Sequence, residues 1–333
     1  MTTRQRNILK TLPGILISLF FLWYTFRGIS FRQIAALRFV HPSWLVGLLL
    51  FTAGSYTLRC VRWTLMMRST GAKFSTCARV LMTSLAANNI LPLRIGDIMR
   101  VFTYSDDLGT PPSVILSTVI LEKLLDIFIL VLLFAVTMGS IATPHLHTVV
   151  LVSLAISSCG LLVLLLGARA LQPRIAGLFQ RLPSGGKLGK IEHWIELAVD
   201  AMARLGLGGA LLLLVESAVI WTCEGMIFVS AARLLGVHTD RVSPWLAVSF
   251  ANLSYLIPSS PGAIGPFELA VKTSLVSHGA PVSQAAIFGL ALHAWLLITV
   301  TGAGGMIFLM HRFRIHNHRP LLKEIDQLPE ELP

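Results

Sequence analysis

Charge is what this chain has least of. Only 13% of its 333 residues are Asp, Glu, Lys or Arg while 54% are hydrophobic, whereas a soluble domain carries roughly 25% charged residues. That shortage excludes an ordinary water-soluble fold. The apolar runs are continuous rather than alternating, which excludes a transmembrane β-barrel, and several approach or exceed the ~20 residues a helix needs to cross a bilayer. Cysteine is sparse: Cys60, Cys77, Cys159 and Cys223 show neither disulfide nor zinc spacing. No phosphate-cradling glycine loop, zinc signature or Gly-x-Ser-x-Gly elbow is present. No cofactor or metal is therefore expected. No soluble stretch is long enough for a nucleotide-driven motor, so energy would come from ions, a lipid gradient or a partner.

The charge that is present is mostly basic, 27 Lys and Arg against 16 Asp and Glu. It sits in short loops and at the C-terminus, which points to membrane orientation and anionic head groups rather than nucleic acid. Arg4, Arg6 and Lys10 place the N-terminus in the cytoplasm. The first apolar stretch, residues 12–26, lacks a small-x-small cleavage site before Arg27 and reads as an uncleaved anchor. Arg27, Arg32 and Arg38 in the following loop fit an interfacial helix. Between Arg169 and Lys190 lie five basic residues and no acidic one, a cytoplasmic mark. Crossing helices are expected at about 12–26, 44–67, 112–138, 147–167, 208–235 and 285–310, with an amphipathic surface helix at 191–205 and both termini inside.

Two polar interruptions organise this pattern. Asn88–Arg100 reads NNILPLRIGDIMR, and Tyr255–Glu268 reads YLIPSSPGAIGPFE. Pro92 and Pro258 lie 166 residues apart, as do Gly96 and Gly262, while Gly71 and Gly236 lie 165 apart. In both places a long apolar helix, a glycine, a short helix, a breaker and another long helix follow in order. The apolar segment 80–91 is about 18 Å long as helix, too short for ~30 Å of hydrocarbon, and Pro92 and Gly96 break the chain directly after it. A re-entrant hairpin is expected at 88–97 from the cytoplasm, and a second at 255–265 from outside. Non-helical backbone at membrane depth must be enclosed by protein or line a wet cavity. The expected fold is thus an all-α polytopic membrane protein, a single domain over 1–333. Its inverted repeat spans about 44–139 and 208–310, with a cytoplasmic loop at 168–206 and a tail at 311–333. It has six full crossings plus two broken hairpins, or eight crossings if the hairpins span.

Candidate site residues cluster at these interruptions. Arg94, Asp97 and Arg100 recur at i, i+3, i+6, and arginine offers a planar fork for phosphate; the plainer alternative is that Arg94 and Asp97 pair with each other. Arg59 and Arg62 lie one turn apart, Glu122 and Asp126 share a helix face, and pairing would offset the cost of burying them. Lys123 joins this group. Glu224 lies near mid-helix and is a candidate titrating residue, with His293 as its partner or the partner of Glu268. Asn88, Asn89, Asn252 and Ser254 are placed to satisfy broken-helix backbone or meet head-group oxygens.

Four stretches, LRCVRW (Leu58–Trp63), NILPLRIGDIMR (Asn89–Arg100), LEKLLD (Leu121–Asp126) and PGAIGPFE (Pro261–Glu268), carry a resemblance. The chain resembles the family of the membrane region of lysylphosphatidylglycerol synthases, whose small stand-alone members are described as flippase-like. That family usually has Glu where Asp97 stands, Gly where Ala263 stands, and an arginine near His293. The lysyl-transferase domain of the large members has no counterpart here, so aminoacylation is not implied. The resemblance implies movement of a phospholipid or lipid-linked glycan between leaflets of a prokaryotic inner membrane. Arg94, Arg100 and Arg59 would hold a phosphate, and Glu122, Asp126 and Glu224 would balance charge or meet a cationic group. One alternative is a non-transporting factor that binds or presents a lipid for a separate lipid-modifying enzyme. The other is a membrane-embedded transferase or hydrolase, which would need a nucleophile beside His293.

Overall fold

A computed structural model describes residues 3–30, 38–138, 148–149, 151–156, 158–159 and 206–325. The expected loop at 168–205, its surface helix, most of the helix at 147–167 and the end of the tail lie outside the described residues. Those described are helical or connecting turns, with no strand among them. The helices are α1 (Thr3–Phe26), α2 (Trp44–Met66), α3 (Phe74–Ile90), α4 (Ile95–Phe102), α5 (Ser105–Leu108), α6 (Pro112–Met138), α7 (Gly206–Leu235), α8 (Ser243–Leu253), α9 (Pro266–Val276) and α10 (Val282–Ile325).

Prolines set both interruptions. Leu91, before Pro92, is extended at φ −97°, ψ 143°, because the proline ring disfavours α geometry in the preceding residue. A single turn over Pro92–Arg94 follows, with Arg94 in the left-handed region at φ 53°, ψ 40°, and α4 begins at once. In the second half, α8 runs into a turn at Ser254–Leu256, and Ile257 is extended before Pro258. The chain passes through left-handed Gly262, Ala263 and Gly265, then enters α9, whose Glu268 carboxylate accepts the Gly265 N–H at 2.6 Å. This caps an otherwise open helix N-terminus.

Lipid tails are as apolar as leucine, so close packing and buried polar pairs, more than apolar burial, hold helices together there. α2 lies along α7, α3 along α10, α8 along α6 and α9 between α8 and α10. Glycine permits the tightest approaches: Gly304 of α10 abuts the Met82 carbonyl of α3, Gly225 of α7 abuts the Trp245 ring of α8, and Gly96 lets α4 fold back onto the Ser84 carbonyl of α3. α1 closes over the second interruption. Its Ser18 hydroxyl accepts the Ser260 N–H at 2.8 Å, and Lys272 of α9 donates to its Thr25 carbonyl at 2.6 Å. One apolar core surrounds Trp63, Leu81, Ile115 and Leu121; the other surrounds Phe228, Val248, Phe267 and Leu292.

Among the described residues three helices are long and apolar enough to cross a membrane: Trp44–Met66, Gly208–Leu235 and Val282–Phe313. Their outward side chains are greasy; Leu50, Val215 and Ile298 are 60% or more exposed. This is a helical membrane protein, with fewer qualifying spans than the six expected. In α1 the apolar stretch found among the described residues is Gly14–Phe26, and α6, though 27 residues long, carries Glu122, Lys123 and Asp126. One boundary also moves. α3 starts at Phe74 and has 17 residues, about 26 Å, because Arg79 does not end the apolar segment: it stays helical and pairs with Asp107 at 2.9 Å.

Candidate functional site

The two interruptions face each other across a cavity of about 460 Å³. Asn88, Asn89, Leu91 and Arg94 line it from the first, Tyr255 and Pro258–Ala263 from the second. Arg59, Glu122, Lys123, Asp126 and Glu224 line it from α2, α6 and α7.

Most of these charges are paired. Arg59 reaches Glu224 Oε1 at 2.9 Å and Asp126 Oδ2 at 3.8 Å, with its guanidinium 5.0 Å from the Trp221 ring centre and 5.9 Å from that of Tyr56. The Ser55 hydroxyl donates to the same Glu224 oxygen at 3.0 Å. Arg62, fully buried behind it, donates to Asp126 Oδ1 and Ser217 Oγ, each at 2.8 Å. The Trp221 indole N–H gives Asp126 Oδ1 a further bond at 3.1 Å. Removing one partner of such a pair strands a charge in a dry interior, at about 3–5 kcal/mol.

The expected phosphate trio is divided. Arg100 does not line the cavity: it is buried between α4 and α6, bonded to Glu122 Oε2 at 3.0 Å, with its guanidinium 5.0 Å from the Trp63 ring centre. Asp97 sits 3.9 Å from Arg100 and 3.6 Å from Lys123. The Asn88 carboxamide closes this group, accepting the Asp97 N–H at 3.2 Å and donating to its carboxylate at 3.1 Å. Asn88, Asp97 and Arg100 thus hold α4 folded against α3 and α6. Asn89 ties the first interruption to α10 through Thr301 at 3.1 Å.

Arg94 differs. It is exposed on the cavity wall, its guanidinium 5.6 Å from the Tyr255 ring centre. Among the described residues no carboxylate lies within 4.0 Å of it, so the Arg94–Asp97 pair is not formed. Its left-handed backbone costs a non-glycine residue roughly 1–2 kcal/mol.

His293 pairs with Glu268 at 2.7 Å, not with Glu224. Both are buried, and neither lines the cavity; Phe267, whose ring stacks on the imidazole at 4.1 Å, does. Among the described residues Glu268 is the sole hydrogen-bond partner of His293, so no serine nucleophile accompanies it. Of the fifteen residues singled out from sequence, Arg59, Asn88, Asn89, Arg94, Glu122, Lys123, Asp126, Glu224 and Asn252 line the cavity; Arg62, Asp97, Arg100, Ser254, Glu268 and His293 do not.

The aromatic wall of Tyr56, Trp221 and Tyr255 is what sequence reasoning missed. A signal was there: Tyr56 precedes Arg59 by three residues and Trp221 precedes Glu224 by three, spacing that puts each pair on one helix face.

Comparison with known proteins agrees with this architecture. The family described as the lysylphosphatidylglycerol synthase TM region matches residues 12–304. The chain is similar to the glycosyltransferase AglD of Haloferax volcanii, with 27% identity over 299 residues, covering 77% of this chain and 47% of that protein. It thus spans about half the length of that relative. No solved structure matches. With more than four-fifths of its length inside the family match, the chain belongs to the family of the lysylphosphatidylglycerol synthase transmembrane region.

Proposed function

We propose that this protein moves a phospholipid or lipid-linked head group between the leaflets of a prokaryotic cytoplasmic membrane. The observation that carries the reading is Arg94: a strained, exposed arginine, unpaired among the described residues, on the wall of a cavity to which both interruptions contribute. A charged group near mid-bilayer costs about 2.5–3.5 kcal/mol or more, and a polar chamber lowers that barrier. In this reading the phosphate docks on the Arg94 fork, and Arg59 becomes a second donor when it leaves Glu224. Glu122, Asp126 and Glu224 then meet any cationic part. Asn88, Asn89 and Asn252 meet ester or hydroxyl oxygens. The acyl chains remain in lipid, beside Leu256 and Ile257, which are exposed at the cavity wall.

The packing supports an inverted repeat over about 44–139 and 208–310. The short helix α3 of the first half lies on α10, the last long helix of the second, while α8 lies reciprocally on α6. A two-fold axis in the membrane plane produces that exchange. The two interruptions then act as re-entrant hairpins, one from each face, beside six full crossings (eight if the hairpins span). Basic residues at both ends support termini on the cytoplasmic side.

Reconstitution into liposomes with fluorescent phosphatidylglycerol or a labelled polyprenyl phosphate tests this. The expected result is faster loss of inner-leaflet lipid to the outer leaflet than in empty liposomes, and slower loss for Arg94→Ala. Folded protein that accelerates none of these lipids would overturn the reading.

One observation favours a second reading. The relative that matches is about twice as long and is named a glycosyltransferase. A module of this kind can hold a lipid-borne head group for a lipid-modifying enzyme without releasing it on the other side. Lipid binding without flipping in the same liposomes would select this role.

A further inference from the structure

Glu268 and His293 form a buried acid–base pair that the translocation reading leaves unused. They are 2% and 1% exposed and joined at 2.7 Å. The second carboxylate oxygen caps the Gly265 N–H at 2.6 Å. The other imidazole nitrogen, Nε2, is buried with no hydrogen-bond partner among the described residues. A carboxylate with a neutral histidine leaves one negative charge in a dry interior, offset only by the α9 N-terminus. One added proton on the imidazole cancels it.

Among the described residues no other ionised group touches the pair. α8 brings none, α1 brings Tyr24 over residues 14–26, and α10 up to Met310 brings only His293 itself. On α9, Lys272 is turned to the Thr25 carbonyl. α3 brings Cys77 and Arg79, the latter paired with Asp107. α7 brings Glu216, Cys223, Glu224 and Arg233, with Glu224 held by Arg59. The groups between the pair and the cavity are rings. Phe267 stacks on His293 at 4.1 Å, Tyr255 meets Phe267 edge-on at 6.1 Å, and Arg94 lies 5.6 Å from the Tyr255 ring centre. By those three steps Arg94 is no more than about 16 Å from the imidazole.

We infer that Glu268 and His293 form a proton-binding site coupled to anion occupancy at Arg94, so that an anionic head group enters with proton uptake. The inference rests on the translocation reading and supplies its driving ion. At that separation and an effective dielectric near 20, an anion on Arg94 favours the protonated pair roughly fivefold. By linkage, protonation tightens anion binding by the same factor. A proton gradient then sets the side on which the head group is held.

Calorimetric titration of the full-length protein in detergent, in two buffers of different ionisation enthalpy, counts protons taken up per ligand bound. The probes are dihexanoyl-phosphatidylglycerol and dimethyl phosphate, phosphodiesters with no titrating proton of their own between pH 5 and 8. At the pH where it is greatest, uptake should reach roughly 0.4 proton per lipid. It should fall close to zero in Glu268→Gln, which keeps an acceptor for Gly265, and in His293→Gln, each first shown to melt cooperatively. Uptake with the lipid, with or without the small diester, supports the coupling. Uptake with dimethyl phosphate alone keeps the coupling and overturns the lipid reading. Lipid binding with no proton taken up at any pH overturns the coupling and leaves the lipid site standing, and uptake unchanged in both folded variants overturns its assignment to this pair. If neither probe binds, the lipid reading fails and the coupling with it.

Discussion

Arg59 and Glu224 meet at 2.9 Å from positions 165 residues apart, the same offset that relates Gly71 to Gly236. In the proposed inverted repeat these would be equivalent positions, which touch only where a relating two-fold axis passes. α2 and α7 are packed together there. The contact should therefore tolerate exchange. Arg59→Glu alone confronts Glu224 and Asp126 with a third carboxylate, and Glu224→Arg alone crowds two arginines; each should cost about 3 kcal/mol of stability. The double exchange should recover more than half of that loss, as a coupling energy measured by thermal denaturation of all four proteins in detergent. Double-variant stability equal to the sum of the single losses would contradict the pairing.

Arg94 separates strain from function. Arg94→Gly relaxes a left-handed backbone that only glycine adopts freely, and stability should rise by about 1 kcal/mol. Lipid binding should fall at the same time, whereas Arg94→Lys should keep part of it through charge without the bidentate fork. A melting curve and a binding isotherm on the same preparations give both signs.

Gly96 has no room for a side chain. A methyl there would overlap the Ser84 carbonyl oxygen and lie 2.7 Å from Asn88 Oδ1. Backbone cannot yield to it as a flexible side chain can, so Gly96→Ala should destabilise by about 1–3 kcal/mol or more. It should also unseat α4. Gly54, with open space around it, is the control: Gly54→Ala should be neutral or slightly stabilising. Expression yield and melting temperature compare the two.

One titration lies outside the spans. In the turn before α8, partial burial acts to raise the Asp240 carboxyl. The Ser243 N–H at 2.7 Å and the His278 ring at 2.9 Å outweigh it, so the carboxyl is held below its ordinary value. A depressed acid contributes stability above its unfolded pKa, near 3.9, and loses it as pH falls through the lower folded value. Asp240→Asn should thus lower the melting temperature at pH 7. The difference from wild type should shrink on acidification below about pH 4. A difference that grew there would reverse the sign of the argument.

Proline and glycine made the interruptions legible, since a missing N–H and a ring clash leave the chain few alternatives at Pro92 and Pro258. The charged group was legible too, because Arg59, Arg62, Glu122 and Asp126 have nowhere in an apolar chain to go but toward one another. What spacing could not give was the side each residue faces. The i, i+3, i+6 reading of Arg94, Asp97 and Arg100 assumes one continuous helix, but the left-handed turn at Arg94 resets the helical phase. Arg94 therefore faces the cavity while Arg100 faces Glu122. Nothing local marks Arg94 as left-handed, since arginine has no preference for that region and the surrounding packing imposes it. The partner of His293 likewise depended on which helices meet, a long-range fact, and the fold chose Glu268 over Glu224.

The central claim is that two oppositely oriented interruptions share one chamber, and side-specific thiol labelling tests it most directly. With Cys60, Cys77, Cys159 and Cys223 replaced, single cysteines at Leu91 and Ser259 would be exposed to an impermeant maleimide from either side of sealed vesicles. The account predicts modification of Leu91→Cys from the cytoplasmic side and of Ser259→Cys from the opposite side, each slowed by a phosphate-bearing lipid that Arg94 binds. Modification of both from one side only would contradict it.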